Sequence, residues 1–178
     1  LRAESIARNY AEALFALAEK DGQVDAFAAW IDALSGAIVA SPKVGAALLS
    51  PKVTRAAKTG LLTGAVTGAP AVFKHFLAAV VKRGRQGLLP LMSTAFHELN
   101  DVRLNRVRAG VILAREPDEQ LRNQIKSSLQ ERLGKEVLPT FTVDPEILGG
   151  AIVRLGDRVL DGSVKRRIVR LRRQLLSR

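Results

Sequence analysis

The chain has no cysteine and very little aromatic carbon. The first absence excludes disulfides, thiolate catalysis and cysteine-based zinc sites, and it says little about compartment. Aromatics make up 4% of the 178 residues, with one Trp and one Tyr. Cores must therefore be built mostly of Ala, Leu and Val. Ala and Leu are strong helix formers, which favours helices over a β-sandwich. No run of about 18 apolar residues occurs, so no transmembrane helix is expected. Glu4, Arg8, Glu12 and Glu19 interrupt any apolar run near the start, which is not the pattern of a signal peptide. The sequence opens on Leu1 rather than Met, so either a targeting segment has been removed or the first residues are absent.

Catalytic hardware is equally scarce. His75 and His97 lie in helical patterns without a partner at metal-ligand spacing, so neither is expected to bind metal. No serine sits in a nucleophile elbow. Gly60-Leu61-Leu62-Thr63-Gly64-Ala65-Val66-Thr67-Gly68 has glycines but no lysine to reach a phosphate, so it is not a P-loop. Gly149-Gly150 precedes a strand instead of opening a helix, which suits a tight turn better than an anion cradle. Asp157 and Asp161 are better used as turn and cap residues than as a carboxylate pair. The expectation is no catalytic residue, no cofactor and no metal.

What is present begins with 47% hydrophobic residues, enough for a core. The formal net charge is +11. Residues 1–100 hold 11 basic and 7 acidic groups, and the remainder 17 and 10. The excess is concentrated late, chiefly from Lys165 onward. A basic balance implies acidic partners: nucleic acid, anionic lipid or an acidic protein surface.

Apolar spacing predicts a helix from about Ala3 to Lys20 and a second from near Val24. Ser41-Pro42 and Ser50-Pro51 predict two more, because proline is favoured at the first helical position. Gly60 to Pro70 reads as a loop or frayed end. A fifth helix spans about Ala71 to Arg83, and a long sixth runs from about Gln86 to Arg106 with Leu88, Leu91, Met92, Ala95, Leu99 and Val102 in register. The character changes near residue 107. Val107 to Ala114 reads as a strand, Pro117 opens a helix that Gly134 ends, and Val137 to Val143 reads as a second strand. Pro139 confines that strand to an edge or marks its start. The fold class is mainly α: an N-terminal helical bundle, residues 1–106, and a small C-terminal α/β domain, residues 107–178.

Helices one and five carry unusually wide apolar arcs. On a wheel of about 100° per residue each sweeps about 200°, wider than one core requires. Such a helix is either central in its bundle or one wall of a groove that accepts an amphipathic helix. The residues expected to line that groove are Ile6, Tyr10, Ala11, Leu14, Phe15, Phe73, Phe76, Leu77, Val80 and Val81.

The end of the chain is the densest in signals. Ala151 to Leu155 and Arg158 to Leu160 are short β-forming runs. Gly156-Asp157 between them is a two-residue hairpin loop, with Gly supplying the positive φ of a type II′ turn. Asp161 or Ser163 can cap a helix, and Gly162 lets the chain turn into it. That helix carries Val164, Ile168, Leu171 and Leu175 on one stripe, with basic residues over most of its remaining surface. The basic face is a solvated surface, a site for an acidic protein, or a nucleic-acid contact. No zinc-finger spacing or RNA-binding aromatic pair accompanies it.

These motifs resemble the delta subunit family of rotary ATP synthases, whose mitochondrial members are the oligomycin-sensitivity-conferring proteins. The resemblance rests on Asp144-Pro145-Glu146-Ile147-Leu148-Gly149-Gly150, Gly156-Asp157 and Asp161-Gly162-Ser163. It extends to Ala7-Arg8-Asn9-Tyr10-Ala11-Glu12-Ala13-Leu14-Phe15-Ala16-Leu17-Ala18 and to Lys82-Arg83-Gly84-Arg85 with Leu88 and Leu89. The three matches fall in order along nearly the whole chain. The resemblance implies a six-helix bundle that binds N-terminal helices of alpha subunits in a groove of its first and fifth helices. It implies a C-terminal domain that meets the b subunits of the peripheral stalk, for which Arg166, Arg170 and Arg173 are the candidate contacts. It implies a non-catalytic stator role, one copy per complex and no nucleic-acid partner. It also implies membrane association through the complex only, on the cytoplasmic face in bacteria or the matrix or stromal side in organelles. The rival class is a basic nucleic-acid-binding module, marked by a steep loss of affinity with salt.

Overall fold

In the computed structural model, residues 2–156, 158–166 and 168–169 are described. Asp157, Arg170, Leu171, Arg173 and Leu175 lie outside the described residues. The protein is mainly helical with one small four-stranded sheet, and it divides into two compact units, Leu1–Asn100 and Asp101–Arg178. The division falls in the last turn of a helix, ahead of the 106/107 boundary read from composition.

The helical unit contains α1 (Arg2–Lys20), α2 (Val24–Ala40), α3 (Pro42–Leu49), α4 (Arg55–Ala65) and α5 (Ala71–Lys82). A 3-10 turn (Gln86–Leu88) then leads into α6 (Leu89–Arg103). Pro42 occupies the first position of α3, and the chain bends by 101° between α2 and α3. No single described helix is long and apolar enough to cross a membrane. The core gathers Phe27, Ile31 and Leu34 of α2 with Phe73, Leu77 and Val80 of α5 and Met92 and Phe96 of α6. Phe73 is its aromatic centre, with ring centroids 5.4 Å from Phe27 and 5.5 Å from Trp30.

Three helix expectations need correction. Ser50-Pro51 makes a turn, in which Ser50 Oγ accepts the Lys52 N–H at 3.2 Å. The fourth helix starts only after Thr54, whose Oγ1 caps it by accepting the Ala57 N–H at 3.2 Å. It then continues through Gly60 and Gly64 to Ala65, where a loop or frayed end was expected from Gly60 on, because Leu62 is fully buried in the core. Two helical glycines cost roughly 1 kcal/mol each relative to alanine, and burying a leucine contributes about 1.5–3 kcal/mol. The long sixth helix begins as the 3-10 turn and ends at Arg103, and Asn105 follows with φ 50. Its buried row is Leu89, Met92, Ser93 and Phe96. Leu91 and Val102 of the expected stripe are exposed, because the buried row lies further round the helix.

The second unit contains β1 (Arg106–Leu113), α7 (Glu119–Leu133), β2 (Glu136–Val143), β3 (Ala151–Leu155) and β4 (Arg158–Asp161). The sheet order is β2-β1-β3-β4. β1 and β2 are parallel, which requires the α7 crossover between them. β3 is antiparallel to both β1 and β4. Asp118 caps α7, its Oδ1 accepting the Leu121 N–H at 2.7 Å, and Gly134 ends it at φ 62. Leu129 of α7 packs on alternate strand residues Ala109, Val111, Leu113, Val137 and Val153. β2 is an edge strand, as Pro139 demands.

Candidate functional site

The residues expected to line a groove along the first and fifth helices divide into two sets by burial. Of its ten expected lining residues, Ala11, Leu14, Phe73, Phe76, Leu77, Val80 and Val81 are buried in the core. Ile6, Tyr10 and Phe15 are half-buried. A wide apolar arc has an inner half, and in a chain with few large side chains that half fills the helix's own core. Phe15 leaves the groove altogether. It meets Phe96 of α6 edge-on at 5.3 Å, about 140° around α1 from Tyr10.

What remains open is one shoulder of each arc. On α1 it consists of Ile6, Tyr10 and Leu17, half-buried, and exposed Ala13. On α5 it consists of half-buried Val72 and exposed Ala79, flanking Phe76. The Tyr10 and Phe76 rings, 6.3 Å apart and edge-on, join the two shoulders. Ala13, Leu17, Val72 and Ala79 were not among the expected site residues. The signal for them was their place at the outer edge of each apolar arc.

The two helices run antiparallel. Tyr10 meets Phe76, while Arg2, Ala3 and Ile6 share a cleft of about 460 Å³ with Arg85 and Leu88 beyond the end of α5. The Lys82-Arg83-Gly84-Arg85 segment is the stop signal of α5. Gly84 takes φ 68, its N–H donates to Val81 O at 3.0 Å, and the Arg85 N–H donates to Val80 O at 2.9 Å. That pair of bonds is a Schellman motif, which satisfies the last carbonyls of the helix.

The C-terminal motif residues assemble as structure. Gly149 and Gly150 take φ 147 and 85. A side chain at Gly150 would put its Cβ 2.5 Å from Gly162 O. The two turns are stitched by the Gly162 N–H donating to Ala151 O at 2.9 Å and the Val164 N–H to Gly149 O at 3.0 Å. Gly156 takes φ 56 in the β3–β4 hairpin. Asp161 Oδ1 accepts the Ser163 N–H at 2.9 Å, and Ser163 Oγ accepts the Arg166 N–H at 3.3 Å. Ser163 is therefore the cap of the helix that starts at Val164. Arg166 is exposed, with Nη1 3.8 Å from Asp161 Oδ2.

Hydrogen bonds from the Ser163 side chain and then its backbone hold the Asp161 carboxyl below its ordinary value; burial opposes them, and the Arg166 charge adds a lesser lowering. A depressed folded value contributes stability above the ordinary aspartate range, lost as pH falls through the folded value. The helix start should hold at neutral pH and loosen only in strong acid. Amide exchange at Arg166 across an acid titration reads this directly.

His97 Nε2 lies 2.8 Å from both carboxylate oxygens of Asp32, and Ser93 Oγ donates to Asp32 Oδ1 at 2.6 Å. Serine and histidine both bond the carboxylate, not each other, so the trio ties α6 to α2 without activating the hydroxyl. His75 is exposed on α5. Among the described residues no group of three His, Asp or Glu could hold a metal ion.

A helical unit with half-buried apolar residues beside α1 and α5, and a second unit built on a four-stranded sheet, are what known proteins can be compared with. The family model described as ATP synthase delta (OSCP) subunit matches residues 6–175. The ATP synthase subunit delta of Gemmatimonas aurantiaca is 38% identical over 176 residues, 98% of this chain and 95% of that protein. That of Stenotrophomonas maltophilia is 37% identical over 176 residues, 98% of each. A chain in the Toxoplasma gondii mitochondrial ATP synthase hexamer superposes with a TM-score of 0.69 at 25% identity, covering 96% of this chain and 97% of that one. The chain belongs to the ATP synthase delta (OSCP) subunit family.

Proposed function

We propose that the chain is the non-catalytic stator subunit of a rotary, proton-translocating ATP synthase. It joins the N-terminal helices of alpha subunits on the catalytic head to the b subunits of the peripheral stalk. The head is thereby held against the torque of the central rotor, and rotation drives ATP synthesis instead of spinning the head. The helical unit acts as the family's six-helix bundle, with the turn Gln86–Leu88 as the lead-in to α6. One copy serves each complex. It is membrane-associated through that complex, on the cytoplasmic face in bacteria or the matrix or stromal side in an organelle.

The observation that carries this reading is the apolar shoulder of Ile6, Tyr10, Ala13 and Leu17 beside Val72 and Ala79. An amphipathic helix laid along it would bury apolar surface worth about 25 cal/mol per Å². Aspartate at Ile6 or Ala13 should abolish binding of an alpha N-terminal peptide in calorimetry while the melting temperature stays close to wild type. Undiminished affinity in either folded variant places the site elsewhere.

The basic face read from the sequence at Arg166, Arg170 and Arg173 is the proposed stalk contact. Replacing Arg166, Arg170 and Arg173 together by Gln should leave melting nearly unchanged, because exposed charges rarely contribute more than about 1 kcal/mol to stability. Association with b subunits should become weaker and less salt-sensitive. Unaltered stalk binding would make that face a solvated surface.

A further inference from the structure

We infer that the cleft at the end of the α1–α5 groove is a carboxylate-binding subsite. Arg2 and Arg85 receive an acidic side chain of the docked helix there, and so fix its direction along the groove. The inference rests on the groove reading above and names the partner's chemistry at that site.

Arg2 and Arg85 line one cleft with Ala3, Ile6 and Leu88. Ile6 belongs also to the apolar shoulder, so the cleft continues the groove. Both arginines are exposed, and neither side chain has an ion pair or hydrogen bond among the described residues. Other exposed arginines divide: Arg8, Arg106, Arg108 and Arg122 are matched to Glu12, Glu136, Asp101 and Glu116, whereas Arg55, Arg115, Arg132 and Arg158 have no ion pair among the described residues, so what sets Arg2 and Arg85 apart is that two unmatched arginines share one cleft. Lys82 and Arg83, just before Arg85, add positive charge at the same end and offset the negative end of the α5 dipole. Glu4 faces a different cleft, with Ser5, Arg8 and Leu91.

The far end of the pair carries Glu19 and Lys20 of α1, Asp21 just after it and Lys74 near the start of α5, which balance to zero. The potential along the groove is therefore asymmetric. A helix with carboxylates toward one end gains in one orientation and loses in the other. Arginine suits the task, since its planar fork takes a carboxylate through two parallel hydrogen bonds. The Schellman turn fixes the backbone that presents Arg85.

The test uses calorimetry with a synthetic peptide of the alpha N-terminal helix. The Arg2→Gln/Arg85→Gln double variant should melt as wild type, bind about tenfold more weakly and lose most of the salt dependence. Restoring charge as Arg2→Lys/Arg85→Lys should recover part of the affinity. One peptide carboxylate, replaced by its amide, should reproduce the loss in wild type and have no further effect in the double Gln variant. A spin label beside that carboxylate should broaden the amide signals of Ala3 and Leu88 and spare those of Ala13 and Val72. Equal binding by the double variant, or broadening at Val72 instead, overturns the carboxylate subsite and leaves the groove standing. Failure of the peptide to bind wild type overturns both.

Discussion

Replacing Ala11 by aspartate is expected to unfold the helical unit. The position looks like a groove site on the sequence wheel, yet its methyl is fully buried between Ala7, Leu14 and Ala18. A carboxylate there has no polar partner on its own face of α1. An uncompensated buried ion costs several kcal/mol, and the added volume about 1–3 kcal/mol more. Against a total stability of roughly 5–15 kcal/mol, that removes most or all of the folded population. Circular dichroism should lose its cooperative melt. Ala13→Asp, two residues along and exposed, should melt normally while losing the peptide. A native-like melt from the Ala11 variant would mean that α1 does not turn this face inward.

Gly150→Val should be the most damaging single change in the second unit. At φ 85 a β-branched residue is strained by about 1–3 kcal/mol. Its Cβ would also press within 2.5 Å of Gly162 O and 3.1 Å of Ser163 Cα, backbone atoms that cannot swing aside. Relieving the clash parts the two turns and puts at risk two hydrogen bonds worth about 0.5–1.5 kcal/mol each. Gly134→Ala supplies the control, because Gly134 has φ 62 but nothing within 4 Å of a new Cβ. It should cost only the conformational strain, about 1–2 kcal/mol. Amide exchange resolved by unit is the readout. Similar losses in both variants would show that close approach contributes nothing.

The sequence was most legible where one local signal decides the outcome. Pro42, Gly134 and the Gly84 stop each mark a helix end by their own chemistry, and the structure uses all three; Pro117, read as the opening of α7, lies two residues ahead of it, and Asp118 caps the helix instead. Legibility failed where a distant partner decides. Leu62 pulls α4 through two glycines because a core pocket awaits it, and no local pattern announces that pocket. The Gly149-Gly150 pair read as a turn, while its tightest neighbour is Gly162, across a strand pair. The groove was half legible. A helical wheel gives the width of an apolar arc but not which part faces inward. Tyr10 against Phe76 and Phe15 against Phe96 divide the α1 arc, and both contacts depend on how the other helices are placed.

Pro139 has a consequence for the time before assembly. It sits within β2 at the outer edge of the sheet, paired in register with Ala109. Its missing N–H removes a donor from the side that a second chain would need to extend the sheet. The opposite edge, β4, is only four residues long. A newly made copy waiting for its complex therefore offers neither rim as a template for strand-by-strand polymerisation. The side-chain surfaces through which it is meant to bind stay available, while the backbone route to amyloid-like stacking is closed.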